Sequence, residues 1–150
     1  MGLENLMSDA LICLDLQVDD KTGAIHELAD LMEADQRLKS KRKYIKAVMK
    51  REAESTTGIG MGVAIPHGKS KGVREPSLAF GRSQAGIAYD SLDGKPVNLM
   101  FLIAVPESSN DTHLKILSQL SRKLMHEEVR QKLLQMQTKD ELYEILGDEG

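Results

Sequence analysis

The chain is 150 residues long, 41% apolar but only 3% aromatic, with 29% charged residues, no tryptophan and a formal net charge of −3 at pH 7. That length fits one domain with an aliphatic core under a well-solvated surface, and a mildly acidic balance without aromatic residues among the basic ones argues against nucleic-acid binding. The single cysteine, Cys13, excludes an intrachain disulfide framework and a thiolate zinc site, and with neither a leader-like start nor a membrane-length apolar run the expected compartment is the cytoplasm.

Residues 11–16 are short and apolar and give way to polar residues, which predicts a strand with Cys13 as a small core residue. Asp19 or Asp20 then caps a helix whose Ile25, Leu28, Ala29, Leu31 and Met32 recur at three- and four-residue spacing, with His26, Glu27, Asp30 and Glu33 on the polar side. Ser40 caps a second helix over residues 41–54. Its buried stripe reads Tyr44, Ala47 and Val48, with Ile45 and Met49 beside it, and Arg51 continues the stripe at the helix end. An arginine there can simply compensate the helix dipole. An arginine drawn inward also needs an anion, and its planar fork suits phosphate oxygens. Glu52 and Glu54 are expected to pair with Arg51 or Lys50.

Residues 56–69, TTGIGMGVAIPHGK, are the stretch around which the rest is organised. Val63, Ala64 and Ile65 predict a buried strand that Pro66, with its fixed φ and no N–H, brings to a stop. His67 then stands at the strand's mouth, where the local string also allows an ordinary turn histidine. Gly68 carries no side chain and leaves room for a partner at the ring. Thr56 and Thr57 offer hydroxyls that either hydrogen-bond the ring or a phosphate, or only stabilise the turn.

Residues 68–76 hold Lys69, Lys71 and Arg74 among small residues and read as an exposed loop whose charge can draw a phosphorylated partner or merely be solvated. A strand over residues 77–83 and a second extended piece over 86–90 follow. Asp93 and Gly94 turn the chain into its longest apolar run, residues 97–105, expected to be the central strand and ended by Pro106. Asn110 or Asp111 caps the next helix, which carries Leu117, Leu120 and Leu124 on one face. His113 begins that stripe in the first turn, where unpaired N–H groups and the helix dipole favour an anion; a half-buried histidine packed on the sheet fits the same pattern. His126 marks a helix break before a short helix bearing Val129, Leu133 and Leu134. Thr138 and Glu141 fit a capping box ahead of Leu142, Ile145 and Leu146, and residues 147–150 are expected to fray. Strands and helices alternate imperfectly. The expected fold class is therefore α/β, a mixed β-sheet flanked by helices on both faces, as a single compact sandwich domain over residues 1–150 with its core at about residues 11–146.

The string TTGIGMGVAIPHG, preceded by Arg51 and Glu52 and followed in order by DGKP at residues 93–96 and NDTHL at residues 110–114, closely resembles the fructose/mannitol-type (type 2) enzyme IIA domains of the bacterial phosphoenolpyruvate-dependent sugar phosphotransferase system. Residues 91–117 look more like fructose-specific members than mannitol-type or nitrogen-regulatory ones. The resemblance implies a phosphotransferase component. His67 accepts a phosphoryl group, on Nε2, from the phosphocarrier protein HPr and passes it to the cysteine of an enzyme IIB, for uptake through a membrane IIC unit. It further implies that Arg51 and His113 lie beside the phosphoryl group and that the domain needs no cofactor or metal and binds no sugar directly; from their own positions, Thr56, Thr57 and Gly68 are expected to support the site.

Imidazole suits this chemistry, because with a pKa of about 6.5 it offers a lone pair at neutral pH without a strong base. The transition state for phosphoryl transfer is loose, so the protein's task is chiefly in-line positioning and the supply of donors. Cys13 opens no phosphate-cradling loop, and no IIB unit is read into the chain. Two rivals stand beside this reading. A nitrogen-regulatory protein would signal through phosphorylated His67. A hydrolytic or metal enzyme would use His67 and His113 as ligands, although the sequence sets no nearby carboxylate or cysteine to complete the shell.

Overall fold

The computed structural model describes residues 2–147. Its elements run β1 (Ile12–Cys13), α1 (Lys21–Ala34), α2 (Lys41–Glu54), β2 (Gly58–Gly60), β3 (Val63–Ala64), β4 (His67–Ser70), β5 (Ser77–Ile87), β6 (Val97–Pro106), α3 (Thr112–Leu124), α4 (Glu127–Gln135) and α5 (Lys139–Gly147), preceded by 3₁₀ turns at Leu3–Leu6 and Asp9–Leu11. The apolar run expected at the centre is indeed the hub. β6 pairs antiparallel with β5 along one side; along the other it pairs in parallel, first with β3 at Leu99 and Met100, then with β4 from Ile103 to Pro106. The sheet order is β1-β5-β6-β3-β2, with β4 joined to β6 as well.

A strand covered on both faces reads as an unbroken apolar run. Leu99, Phe101, Ile103 and Val105 enter the core beneath α3, α4 and α5 with Ile116, Leu120, Leu133 and Leu142. Met100, Leu102 and Ala104 enter the core beneath α1 and α2 with Ile25, Leu28, Tyr44 and Val48. The result is the expected mixed sheet with helices on both faces. The first core also reaches further back than residue 11, through buried Leu3, Leu6 and Met7.

Local chemistry fixes the starts of α1, α2 and α5, whereas Asp111 precedes α3 without the side-chain cap expected there. The Asp20 carboxylate accepts the Gly23 N–H at 2.8 Å and Ser40 Oγ accepts the Lys43 N–H at 3.3 Å. Thr138 accepts from the Glu141 N–H, while the Glu141 carboxylate reaches one residue further back than the capping box would have it, to the Gln137 N–H.

Four expectations need correction. The strand over residues 11–16 shrinks to Ile12–Cys13, because a 3₁₀ turn holds Asp9–Leu11 and the chain bends before the Leu16 N–H rejoins the Arg82 carbonyl at 2.8 Å. Cys13 is half-buried rather than part of the core, its thiol 3.9 Å from the Glu27 carboxylate, which also accepts the Gln17 N–H and so is not merely solvated. The loop over residues 68–76 is a strand as far as Ser70. Beyond it Val73 is buried, and the Gly72 carbonyl accepts the N–H groups of Lys39 and Ser40, which leaves Lys69, Lys71 and Arg74 exposed. The extended piece at 77–83 runs on through residues 84–87 as the single strand β5, which takes in only the start of the piece expected at 86–90 and whose register slips between Arg82 and Ile87, where Gly86 takes φ 96°. Gly147 closes α5, and residues 148–150, where fraying was expected, lie outside the described residues.

Candidate functional site

β3 and β4 are consecutive pieces of one run along β6. Pro66 contributes no N–H, yet its carbonyl accepts the Ile103 N–H at 3.0 Å. The parallel ladder is therefore taken up again at once, and His67 opens a strand instead of following one. Side chains alternate along β4: Gly68 and Ser70 are buried, Lys69 is exposed, and half-buried His67 shares the Lys69 side. Gly68 has a packing purpose that its place beside the ring did not reveal. A Cβ there would lie 2.8 Å from Val48 Cγ2 and 3.2 Å from Tyr44 Cε1, so the glycine lets α2 approach β4. The Tyr44 hydroxyl donates to the Ile103 carbonyl at 2.7 Å and fastens the same helix to the strand beside His67.

His67 Nδ1 lies 3.0 Å from the Ile65 carbonyl oxygen. A carbonyl only accepts, so the proton of the neutral ring sits on Nδ1 and the lone pair on Nε2. His113, in the first turn of α3, brings its ring to 6.3 Å from that of His67, nearly stacked at an interplanar angle of 27°, and its Nδ1 is buried without a hydrogen-bond partner. Arg51 completes the group from α2. Its Nη1 donates to the Ser55 carbonyl at 2.9 Å, closing the helix end as the dipole argument anticipated, and the same side chain lines an open cleft of about 520 Å³ with His67, Gly68, Lys69 and His113. Lys69 Nζ donates to the Asn110 carbonyl at 2.8 Å and ties β4 to the loop that leads into α3.

The two threonines serve the approach to β2. Thr56 Oγ1 accepts the Gly58 N–H at 3.1 Å, and Thr57 donates its hydroxyl to the Glu52 carboxylate. Glu52 is the residue the sequence reading misjudged. The buried stripe of α2 runs Tyr44, Val48, Glu52 at four-residue steps, with Arg51 on its flank, and Glu52 pairs with Lys21 rather than with Arg51 or Lys50. That spacing was visible in the sequence; an acid on a core stripe needs a buried cation, and Lys21 comes from another helix.

Burial holds the His67 pKa below the ordinary histidine value. The Ile65 hydrogen bond opposes this, Arg51 and His113 reinforce it, and Glu52 opposes it. His113 is lowered for the same leading reason, helped by Lys69 and opposed by Asp111. The neutral ring is thus favoured in the folded chain, and the unfolded chain binds more protons between the lowered values and about 6.5. Stability contributed by these rings is complete above that window and declines as pH falls through it. An NMR titration should give His67 a midpoint below about 6.5; a midpoint at or above that value would contradict the site described.

A neutral imidazole with a free Nε2, flanked by a guanidinium and a second imidazole in an open cleft, has the equipment for nucleophilic group transfer. Among the described residues no group of three or more His, Cys, Asp or Glu side chains is gathered to hold a metal ion, and no helix is long and apolar enough to cross a membrane. Residues 5–149 match the family described as phosphoenolpyruvate-dependent sugar phosphotransferase system, EIIA 2, and the chain belongs to that family. It is 44% identical over 138 residues to the fructose-specific EIIA component of Haloferax volcanii, spanning 92% of this chain and 90% of that protein. It is 40% identical over 147 residues to the fructose-specific EIIABC component of Bacillus subtilis, spanning 98% of this chain but only 23% of that longer protein. Among solved structures, the nitrogen regulatory protein IIA-Ntr of Neisseria meningitidis superposes with a TM-score of 0.87 at 34% identity, over 95% of this chain and 97% of that one.

Proposed function

We propose that the chain is the IIA phosphoryl carrier of a fructose-type sugar phosphotransferase system, working in the cytoplasm, with His67 as acceptor. Nε2 of His67 attacks the phosphorus of phosphorylated HPr. The Nε2–P bond forms as the bond to HPr breaks, its electron pair leaving with HPr, while the proton stays on Nδ1, donated in a hydrogen bond to the Ile65 carbonyl. The cysteine thiolate of an enzyme IIB then attacks phosphorus, and the P–N bond breaks with its pair returning to Nε2, which restores the neutral ring. Arg51 supplies donors and positive charge, and His113 a ring N–H donor, to the equatorial oxygens, where a loose transition state spreads its charge. Exposed Leu114 at the rim of the cleft offers apolar contact to the docking protein.

The observation that supports this most is the convergence of His67, His113 and Arg51 on one cleft from β4, α3 and α2. The fructose assignment is supported by the two relatives at 44% and 40% identity. The name of the second joins A, B and C components in one chain, which favours IIB and IIC as working partners here. A nitrogen-regulatory role is the second reading, favoured by the near-complete match to the Neisseria protein.

Onward transfer separates the two. Phosphorylated chain mixed with a fructose IIB should lose its label to the IIB cysteine within the mixing experiment. A chain that accepts phosphate from HPr but never yields it to IIB would favour the regulatory reading.

A further inference from the structure

Beneath the cleft lies a buried charge with no part in the chemistry so far. Glu52 is 7% exposed, and its Oε1 is 3.1 Å from Nζ of Lys21, the first residue of α1. That ammonium also lies 4.6 Å from the centroid of the Tyr89 ring. Thr57 joins the group, donating its N–H to Oε1 of Glu52 at 3.3 Å and its hydroxyl to Oε2. Because that hydroxyl proton is committed to the carboxylate, the Tyr89 hydroxyl, 2.9 Å away, must donate to Thr57 Oγ1. Buried ion pairs add little net stability, so one held under a reactive site invites a reason other than stability.

The network continues to the reactive ring. The Thr57 carbonyl accepts the Ile65 N–H at 3.0 Å, and the Ile65 carbonyl accepts the proton of His67 Nδ1 at 3.0 Å. Ile65 is thus held by its N–H and holds His67 by its C=O. We propose that Glu52, acting through Thr57 and the backbone of Ile65, is a positioning residue that keeps His67 protonated on Nδ1 and so leaves Nε2 as the reactive nitrogen. This rests on the reading of His67 as the phosphoryl acceptor.

The charges around His67 come from three elements: Lys50, Arg51, Glu52 and Glu54 of α2, Lys69 of β4, and His113 of α3 with Asp111 just before it. Of the three acids Glu52 is the buried one, and Lys21 neutralises it from α1. Glu52→Gln and Lys21→Met therefore change the field at His67 in opposite senses. The first removes a charge that favours the protonated ring and lowers its titration midpoint; the second leaves that charge uncompensated and raises it.

The test is ¹⁵N NMR of the His67 ring in the whole chain and in E52Q, K21M, T57V and T57S, with the rate of labelling by phosphorylated HPr measured alongside. E52Q and T57V are expected to show a larger share of the Nε2-protonated form and to accept phosphate roughly 10-fold more slowly or worse. T57S, which keeps the hydroxyl, should match the unmodified chain, and the E52Q and K21M midpoints should move apart. An unchanged tautomer in folded T57V, or midpoints that move together in E52Q and K21M, would overturn the inference. Should E52Q fail to fold, the T57V and T57S pair still decides it. If the unmodified chain took no label on His67, the acceptor reading would fall, and the ring spectra would still report on Glu52.

Discussion

Replacing His67 by alanine is expected to bring labelling by phosphorylated HPr down to background while the fold survives. The ring's hydrogen bond is to the Ile65 carbonyl at the half-buried start of a strand, and the pairing of β4 with β6 is made by backbone. Loss of the ring therefore costs about 1 kcal/mol. No other histidine can stand in. His26 and His126 are exposed on α1 and ahead of α4, and alanine at either should be nearly silent. His113 is close enough to assist, but its Nδ1 is buried without a partner. Arg51→Ala and His113→Ala should keep the acceptor and lose donors to the transition state, slowing acceptance or transfer by about 10²-fold each. Retention of label by the His67 variant, in a chain with an unchanged circular-dichroism spectrum, would move the acceptor elsewhere.

The second large effect concerns stability. Arg82, near the slip in β5, is 7% exposed. Its Nε donates to the Leu14 carbonyl at 3.1 Å, and its Nη1 to the carbonyls of Leu133 at 3.1 Å and Met136 at 2.6 Å, with Leu134 at 3.5 Å. One guanidinium thus closes the C-terminal end of α4, where exposed carbonyls and the dipole favour a cation, and pins the segment after β1. Arg82→Met keeps most of the volume but donates nothing, leaving buried carbonyls unpaired at a cost on the order of 3 kcal/mol. For a chain of this length that lowers Tm by roughly 10 °C. Arg82→Lys, with charge but no planar fork, should fall between. Thermal unfolding reads the result, and an unchanged Tm would show that these carbonyls do not depend on the arginine.

What was legible in the sequence was local. The apolar stripe of α1, the caps at Asp20 and Ser40, the Asp93–Gly94 turn and the unbroken run of β6 each follow from neighbours a few residues apart. The strand after Pro66 was hidden because a proline lacks only a donor. On a parallel ladder its carbonyl goes on working, as the Ile103 N–H shows. The purpose of Gly68 lies in Val48 and Tyr44, which reach it only after α2 docks. Glu52 stood on a readable four-residue stripe, but its reason is Lys21 and Thr57, one of them on another helix. Nothing local brings His113 to His67 either. Their proximity is a product of β4 and α3 meeting at one end of the sheet, and in the sequence only the family resemblance suggested it.

The measurement that bears most directly on the whole account is the mapping of phosphate after incubation with phosphorylated HPr. The chain should take up one acid-labile, alkali-stable phosphoryl group, and NMR of the labelled protein should put it on Nε2 of His67. Label on any other side chain, or on Nδ1 of His67, or phosphate that survives acid, would contradict it.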